Sequence, residues 1–205
     1  EFIGYGLTTN QIQEKVKQLL HSKMFHLQDV LDAVPLLMKS CKYEEISIGL
    51  LLVNGFQKEY TIQTLETIGN WFSMSIHNWA HADILGMYIL PKFIDQKIVT
   101  INDFRDWLLS PYKFQRRCVP VTLIKPMKKT RQVLPYISFV EPLMNDQERE
   151  VHQGVGWFLR EAWKIQPEET EAFLLKCKEI APRLIMQYAC EKMTPDKKLL
   201  FKRSK

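Results

Sequence analysis

Apolar residues recur along this chain at intervals of three and four, and that spacing predicts helix almost from end to end. Residues 11–20 carry Ile12, Val16, Leu19 and Leu20 on one face, and residues 27–38 carry Val30, Leu31, Val34 and Leu37. Residues 43–56 are apolar nearly all round, which predicts a buried inner helix. Residues 61–72 open on Thr61 as N-cap. Further helices are predicted over 78–90, 101–109, 112–124, 129–140, 147–164, 168–178 and 184–193. Ser110-Pro111 and Gln166-Pro167 read as helix starts with proline in the first turn. Strand-type alternation is nearly absent. Eleven helices with short connections fit a bundle or an α-solenoid. Pairs recurring at roughly 30–45 residues fall in the range of HEAT-like repeats. The expected fold is therefore all-α, an α-solenoid of HEAT-like repeats, with residues 1–205 forming one domain. Such a solenoid offers a concave face, here a basic cleft, about as long as a short duplex.

Composition narrows the function without naming it. With 205 residues, 46% hydrophobic and 25% charged, the chain buries a core without staples; disorder, collagen and a disulfide scaffold are excluded. Neither GxGxxG nor GxxxxGK[ST] occurs, so dinucleotide and P-loop chemistry lack their phosphate cradles. Cys41, Cys118, Cys177 and Cys190 are too far apart in sequence for a C-x2-4-C metal motif and are expected to be free thiols in a reducing compartment. Residues 67–82, 16 in all, form the longest stretch without Asp, Glu, Lys or Arg, too short and too polar to span a bilayer. No signal peptide is evident, so a cytoplasmic location is expected, and the missing initiator Met suggests a trimmed or partial chain.

Charge is unevenly distributed. Residues 1–106 carry 9 Lys+Arg against 12 Asp+Glu, a net of −3, and residues 107–205 carry 19 against 11, a net of +8. No acid occurs from Trp107 to Val140, a stretch holding Lys113, Arg116, Arg117, Lys125, Lys128, Lys129 and Arg131. Lys197, Lys198, Lys202, Arg203 and Lys205 extend the basic half at its end. Such a half fits either a polyanionic partner, most commonly nucleic acid, or a solvated basic surface.

Three places break the helical pattern. On a wheel of residues 78–90, Trp79, Asp83, Gly86 and Leu90 share one face, and Asp83 is the only acid between Glu66 and Asp95. A carboxylate in so apolar a helix either faces a cleft or pairs with a neighbouring helix. In residues 147–164, Val151, Val155, Phe158, Leu159 and Ala162 form the apolar stripe, while Trp157 lies opposite beside Glu150, Arg160, Glu161 and Lys164. Trp157 either lines an open site, with Gly154 leaving its ring accessible, or packs on a further helix. In residues 112–124, Pro120 is expected to kink the helix, holding Arg116 and Arg117 at a bend.

Together these breaks resemble the AlkD-like DNA alkylation repair enzymes, DNA glycosylases built of HEAT-like repeats. Asn78-Trp79-Ala80-His81-Ala82-Asp83 resembles the N-W-D-x-x-D element of that family. Residues Ser110 through Cys118 resemble its S-x-x-x-W-x-R-R-A element, and Gly154-Val155-Gly156-Trp157-Phe158-Leu159-Arg160-Glu161 its I-G-W-x-L-R-E element. Phe2 to Leu7 resembles its Y-x-G-V/I segment. The chain departs from the pattern at Ala80, Phe114 and Pro120, and it is expected to lack the one or two helices that precede this point in the family.

The resemblance implies a chemistry and a set of roles. Asp83 takes the place of the catalytic carboxylate, Trp79 and Trp157 those of the aromatics lining the lesion cleft, and Arg117 that of a residue holding the DNA backbone. The neighbouring bases Arg116, Lys113, Lys128, Lys129 and Arg160 are further candidates for DNA binding. The implied activity is excision of cationic N3- or N7-alkylated purines from double-stranded DNA, by a monomer without metal or organic cofactor and without a membrane. The alternative is a non-catalytic HEAT-like scaffold that binds DNA or protein. The charged base is already a good leaving group, and one carboxylate can stabilise the oxocarbenium-like sugar that develops.

Overall fold

The structure is a computed structural model, and it describes residues 3–74 and 76–203. Phe2 and Lys205 lie outside the described residues. The fold is all-α, as a helical-repeat architecture requires: twelve α-helices and no strand among the described residues, save an isolated bridge between Ile3 and Lys42. The helices group into two compact units, residues 1–100 and 101–205.

In the first unit α1 (Thr9–His21), α2 (Leu27–Lys39) and α3 (Tyr43–Gly55) are followed by α4 (Ile62–Met74), α5 (Trp79–Ile84) and α6 (Leu90–Asp95). α3 is the inner helix its sequence predicts: it packs against α1, α2 and α5, and Ile46, Leu50 and Val53 are buried. Thr61 caps α4 as expected, its Oγ1 accepting from Thr64 N while Thr64 Oγ1 accepts from Thr61 N. The predicted helix over 78–90 is longer and less regular than its pattern. A π-turn over Leu85–Ile89 joins α5 to α6, and Leu90 N donates to Leu85 O, five residues back. Pro91 supplies a physical reason. It has no N–H for the Met87 carbonyl, and a wider turn just before it relieves the clash an α-helical path would make.

The second unit has α7 (Lys113–Thr130), α8 (Leu134–Val140), α9 (Arg149–Trp163), α10 (Pro167–Cys177), α11 (Arg183–Ala189) and α12 (Pro195–Leu200). Its centre is α9, which packs against α7, α10 and α11. The glycines of α9 make this possible. A Cβ on Gly154 would stand 3.1 Å from Arg117 Cγ and 3.6 Å from Pro120 Cγ, and one on Gly156 would stand 2.5 Å from Tyr188 Cβ. Gly154 is therefore where α7 crosses closely, not a gap that exposes Trp157.

Three expectations for this unit are corrected. The helix predicted over 112–124 is longer: α7 runs on through Pro120 and Pro126 to Thr130. Pro120 forfeits one backbone bond, and burial of its neighbours Val119 and Val121 against the core holds the helix across the gap. The helix predicted over 129–140 starts too early, because α7 runs to Thr130 and ends where Arg131 takes a left-handed conformation with φ 55°; α8 then opens with Pro135 in its first turn. Residues 101–109 form two 3-10 turns, Ile101–Phe104 and Asp106–Leu109, instead of an α-helix.

Candidate functional site

The candidate carboxylate stands on α5, and the start of that helix is built by three side chains. Asn78 is the N-cap: its Oδ1 accepts from His81 N at 2.9 Å. Its Nδ2 can only donate, so His81 Nδ1, 2.7 Å away, accepts. The far ring nitrogen, Nε2, lies 3.1 Å from the Tyr43 carbonyl of α3, which can only accept, so Nε2 carries the proton. The imidazole also stacks on the Tyr43 ring, with centroids 5.2 Å apart. The Asn78 donor thus requires the neutral ring, with its proton on Nε2. Burial lowers the His81 pKa to about 4, against a smaller upward pull from the Tyr43 carbonyl.

His81 points inward at 1% exposure, and this sets the outward side of the helix. Trp79 and Asp83 are each two residues from His81, about 200° away around the axis, and so share one face four residues apart. Trp79 is 49% exposed and Asp83 is partly buried. Past Ile84 the wheel fails. Across the π-turn Gly86 and Leu90 are buried and Tyr88 is exposed. Sequence reasoning missed His81, for which the W-x-H-x-D spacing carried the signal.

The basic stretch of the second unit meets acids from farther along the chain. Arg116 binds Asp146 through Nε at 2.6 Å and Nη2 at 3.1 Å, and Arg116 Nη1 donates to the Ser110 carbonyl. Lys113 lies 2.8 Å from Glu150 and 3.4 Å from Glu148. Lys128 pairs with Glu161 at 2.5 Å, where Lys164 also binds, and Arg160 pairs with Glu191. Burial pushes the Glu161 carboxyl up, but Lys128 and Lys164 outweigh it and hold the pKa below its ordinary value. Arg117 is only 5% exposed, and its Nη1 donates to the Glu150 carbonyl at 2.7 Å. Lys129 is exposed near the end of α7. Much of the positive charge read from residues 107–140 is therefore matched within the unit by residues 146–161.

Trp157 stands where its pattern puts it. Val151, Val155, Phe158, Leu159 and Ala162 are buried, while Trp157 is only partly so. On the same side, Gln153 donates to the Tyr188 hydroxyl at 3.0 Å.

The segment Ile3–Leu7 is strapped to α3. Glu44, 2% exposed, accepts from Tyr5 N, Gly6 N and Leu7 N at 2.9, 2.8 and 3.1 Å through one carboxylate oxygen, Oε1. Burial raises the Glu44 pKa, but these amide donors prevail and leave it below 4.5. Among the described residues no three His, Cys, Asp or Glu side chains gather as a metal site requires, and no helix is long and apolar enough to cross a membrane. Among the described residues Cys41, Cys118, Cys177 and Cys190 form no disulfide.

The profile of the family described as DNA alkylation repair enzyme matches residues 1–193. No curated protein matches the chain at a significant level.

Proposed function

Because the chain belongs to the DNA alkylation repair enzyme family, we propose that it is a DNA glycosylase releasing cationic N3- and N7-alkylated purines from duplex DNA. The family itself gives it a role in repairing alkylated DNA, as an enzyme with DNA as partner. The finer reading rests on one observation. Asp83 is held on the outward side of α5, one turn from the half-exposed indole of Trp79, by a buried anchor that faces the other way.

In this reading the C1′–N bond of the cationic nucleotide breaks and the base departs neutral, taking the bonding pair. Positive charge passes to the sugar, and the Asp83 carboxylate stabilises it. A water oxygen then bonds to C1′ and releases its proton to Asp83 or to solvent. Trp79 offers an aromatic face to the cationic base, a contact worth ~0.5–2 kcal/mol, and Trp157 is a further candidate for such a contact. Arg117 acts on the DNA backbone as a fixed charge beneath α9, and Lys128 and Lys129 as exposed ones; Arg116, Lys113 and Arg160 shape that surface through their acid partners. The protein works as a cytoplasmic monomer.

The test is release of 7-methylguanine and 3-methyladenine from methylated duplex by the parent chain and by Asp83→Asn. Release by the parent that the Asn variant loses supports the reading; equal release by both sinks it.

A second reading, a non-catalytic scaffold of the same family, has two observations in its favour. Ala80 stands at the family's first Asp position, and most candidate DNA-binding bases already hold acids or carbonyls. Duplex binding without base release would favour it.

A further inference from the structure

The glycosylase reading uses Asp83 and Trp79 but not the residue between them. His81 is buried at 1% exposure and bonds at both ring nitrogens, to Asn78 Nδ2 at 2.7 Å and to the Tyr43 carbonyl at 3.1 Å. Its backbone N–H donates to the Asn78 Oδ1 at 2.9 Å. The chain therefore runs α3 carbonyl, imidazole, N-cap amide, α5 backbone.

Such an anchor is needed here for a local reason. α5 is six residues long, Trp79–Ile84, and continues into the wide π-turn of Leu85–Ile89. So short a segment has few intrahelical bonds of its own, and its first N–H groups depend on the cap. Rotation of α5 about its axis would swing Trp79 and Asp83 together. A residue two positions from each, fixed to α3 on the inner side, opposes that rotation most directly.

We propose that His81 is a positioning residue for the reaction, clamping the start of α5 to α3 so that Asp83 and Trp79 hold one orientation toward the damaged nucleotide. This rests on the glycosylase reading. His81 touches no reacting atom and acts through Asp83.

The experiment is single-turnover release of 7-methylguanine from methylated duplex by the parent, His81→Leu, His81→Gln, Asp83→Asn and the double variant His81→Leu/Asp83→Asn. Duplex affinity and thermal melting are measured for each. His81→Leu is expected to slow release about 10- to 100-fold, the order seen when a reacting group is misplaced by about an ångström, with duplex affinity kept. His81→Gln retains a donor for the Tyr43 carbonyl and should fall between Leu and parent. His81→Leu should cost far less in the Asp83→Asn background than in the parent, since only Trp79 is then left for the clamp to aim.

Release by His81→Leu at the parent rate overturns the positioning role and leaves the glycosylase reading intact. So does a double variant that loses the full His81→Leu factor on top of Asp83→Asn, which marks a residue that only stabilises the fold. A parent chain that releases no base overturns the glycosylase reading and this inference with it. If His81→Leu does not fold at the assay temperature, the same criteria apply to His81→Gln alone and with Asp83→Asn.

Discussion

Arg116 grips Asp146 with two parallel N–H···O bonds of 2.6 and 3.1 Å, and both side chains are largely withdrawn from solvent, at 16% and 5% exposure. The pair ties the start of α7 to the turn before α9. Asp146 Oδ1 also accepts from Glu148 N at 2.8 Å, so the same carboxylate helps set the entry to α9. A charge committed this way has little left for a phosphate.

Arg116→Ala is accordingly expected to act on stability more than on DNA. It strands the Asp146 carboxylate in a nearly closed site, a change that costs about 3 kcal/mol or more. Denaturant unfolding should show the loss, while the salt dependence of duplex binding stays as in the parent. A flatter salt dependence with unchanged stability would reassign Arg116 to the DNA surface.

For Lys129 and Arg117, assigned to the DNA backbone, the expectation differs. Removing one phosphate contact lowers the magnitude of the slope of log K against log[salt] by about one. Lys129→Ala should do this at unchanged melting temperature. Arg117→Ala should lower both quantities, because its guanidinium sits under α9 on the Glu150 carbonyl. If neither variant moves the slope, Lys129 and Arg117 make no contact to the DNA backbone.

Much of the architecture was legible in the sequence, and the errors share a cause. The inner position of α3 followed from its all-round apolar pattern, and the outward placement of Trp157 from its position opposite the Val151–Ala162 stripe. What failed was anything decided by partners distant in sequence. The acid-free run from Trp107 to Val140 looked like a bare cationic surface. Asp146, Glu148, Glu150 and Glu161 reach it only once α9 lies on α7. The local pattern around Gly154 suggests an opening, yet Gly154 stands at a close helix crossing, against Arg117 and Pro120 of α7. His81 was passed over because its partner, Tyr43, is 38 residues earlier.

The strap at Ile3–Leu7 should respond to acid. Glu44 has its pKa held below 4.5 by the amides of Tyr5, Leu7 and Gly6 despite its burial. A carboxyl depressed in the folded state stabilises fully above its unfolded value and loses that contribution as pH falls through the folded one. The Tyr5–Leu7 amides should therefore be protected from hydrogen exchange near neutral pH and lose protection below about 4.5, where the unfolded-state carboxyl takes up its proton. Glu44→Gln should remove most of this pH dependence. Identical profiles for parent and variant would show that the strap is held by other contacts.

Trp157 and Trp71 provide the last test, because they are the same residue type in opposite settings. Trp71 is fully buried at 0% exposure in α4, and Trp71→Ala should cost ~3–5 kcal/mol through the cavity it leaves. Trp157 is only partly buried, on the side of α9 away from Val155 and Phe158. Its truncation should cost well under that amount, since a partly solvated ring leaves no closed cavity. The loss should instead appear where a cation meets an aromatic face, as weaker preference for methylated over unmodified duplex at nearly unchanged affinity for the latter. Denaturant midpoints for both variants, run beside a lesion-binding titration, separate the two outcomes. A fall in midpoint for Trp157→Ala as large as that for Trp71→Ala, with lesion preference intact in the folded fraction, would make Trp157 a residue of the core and remove it from the site.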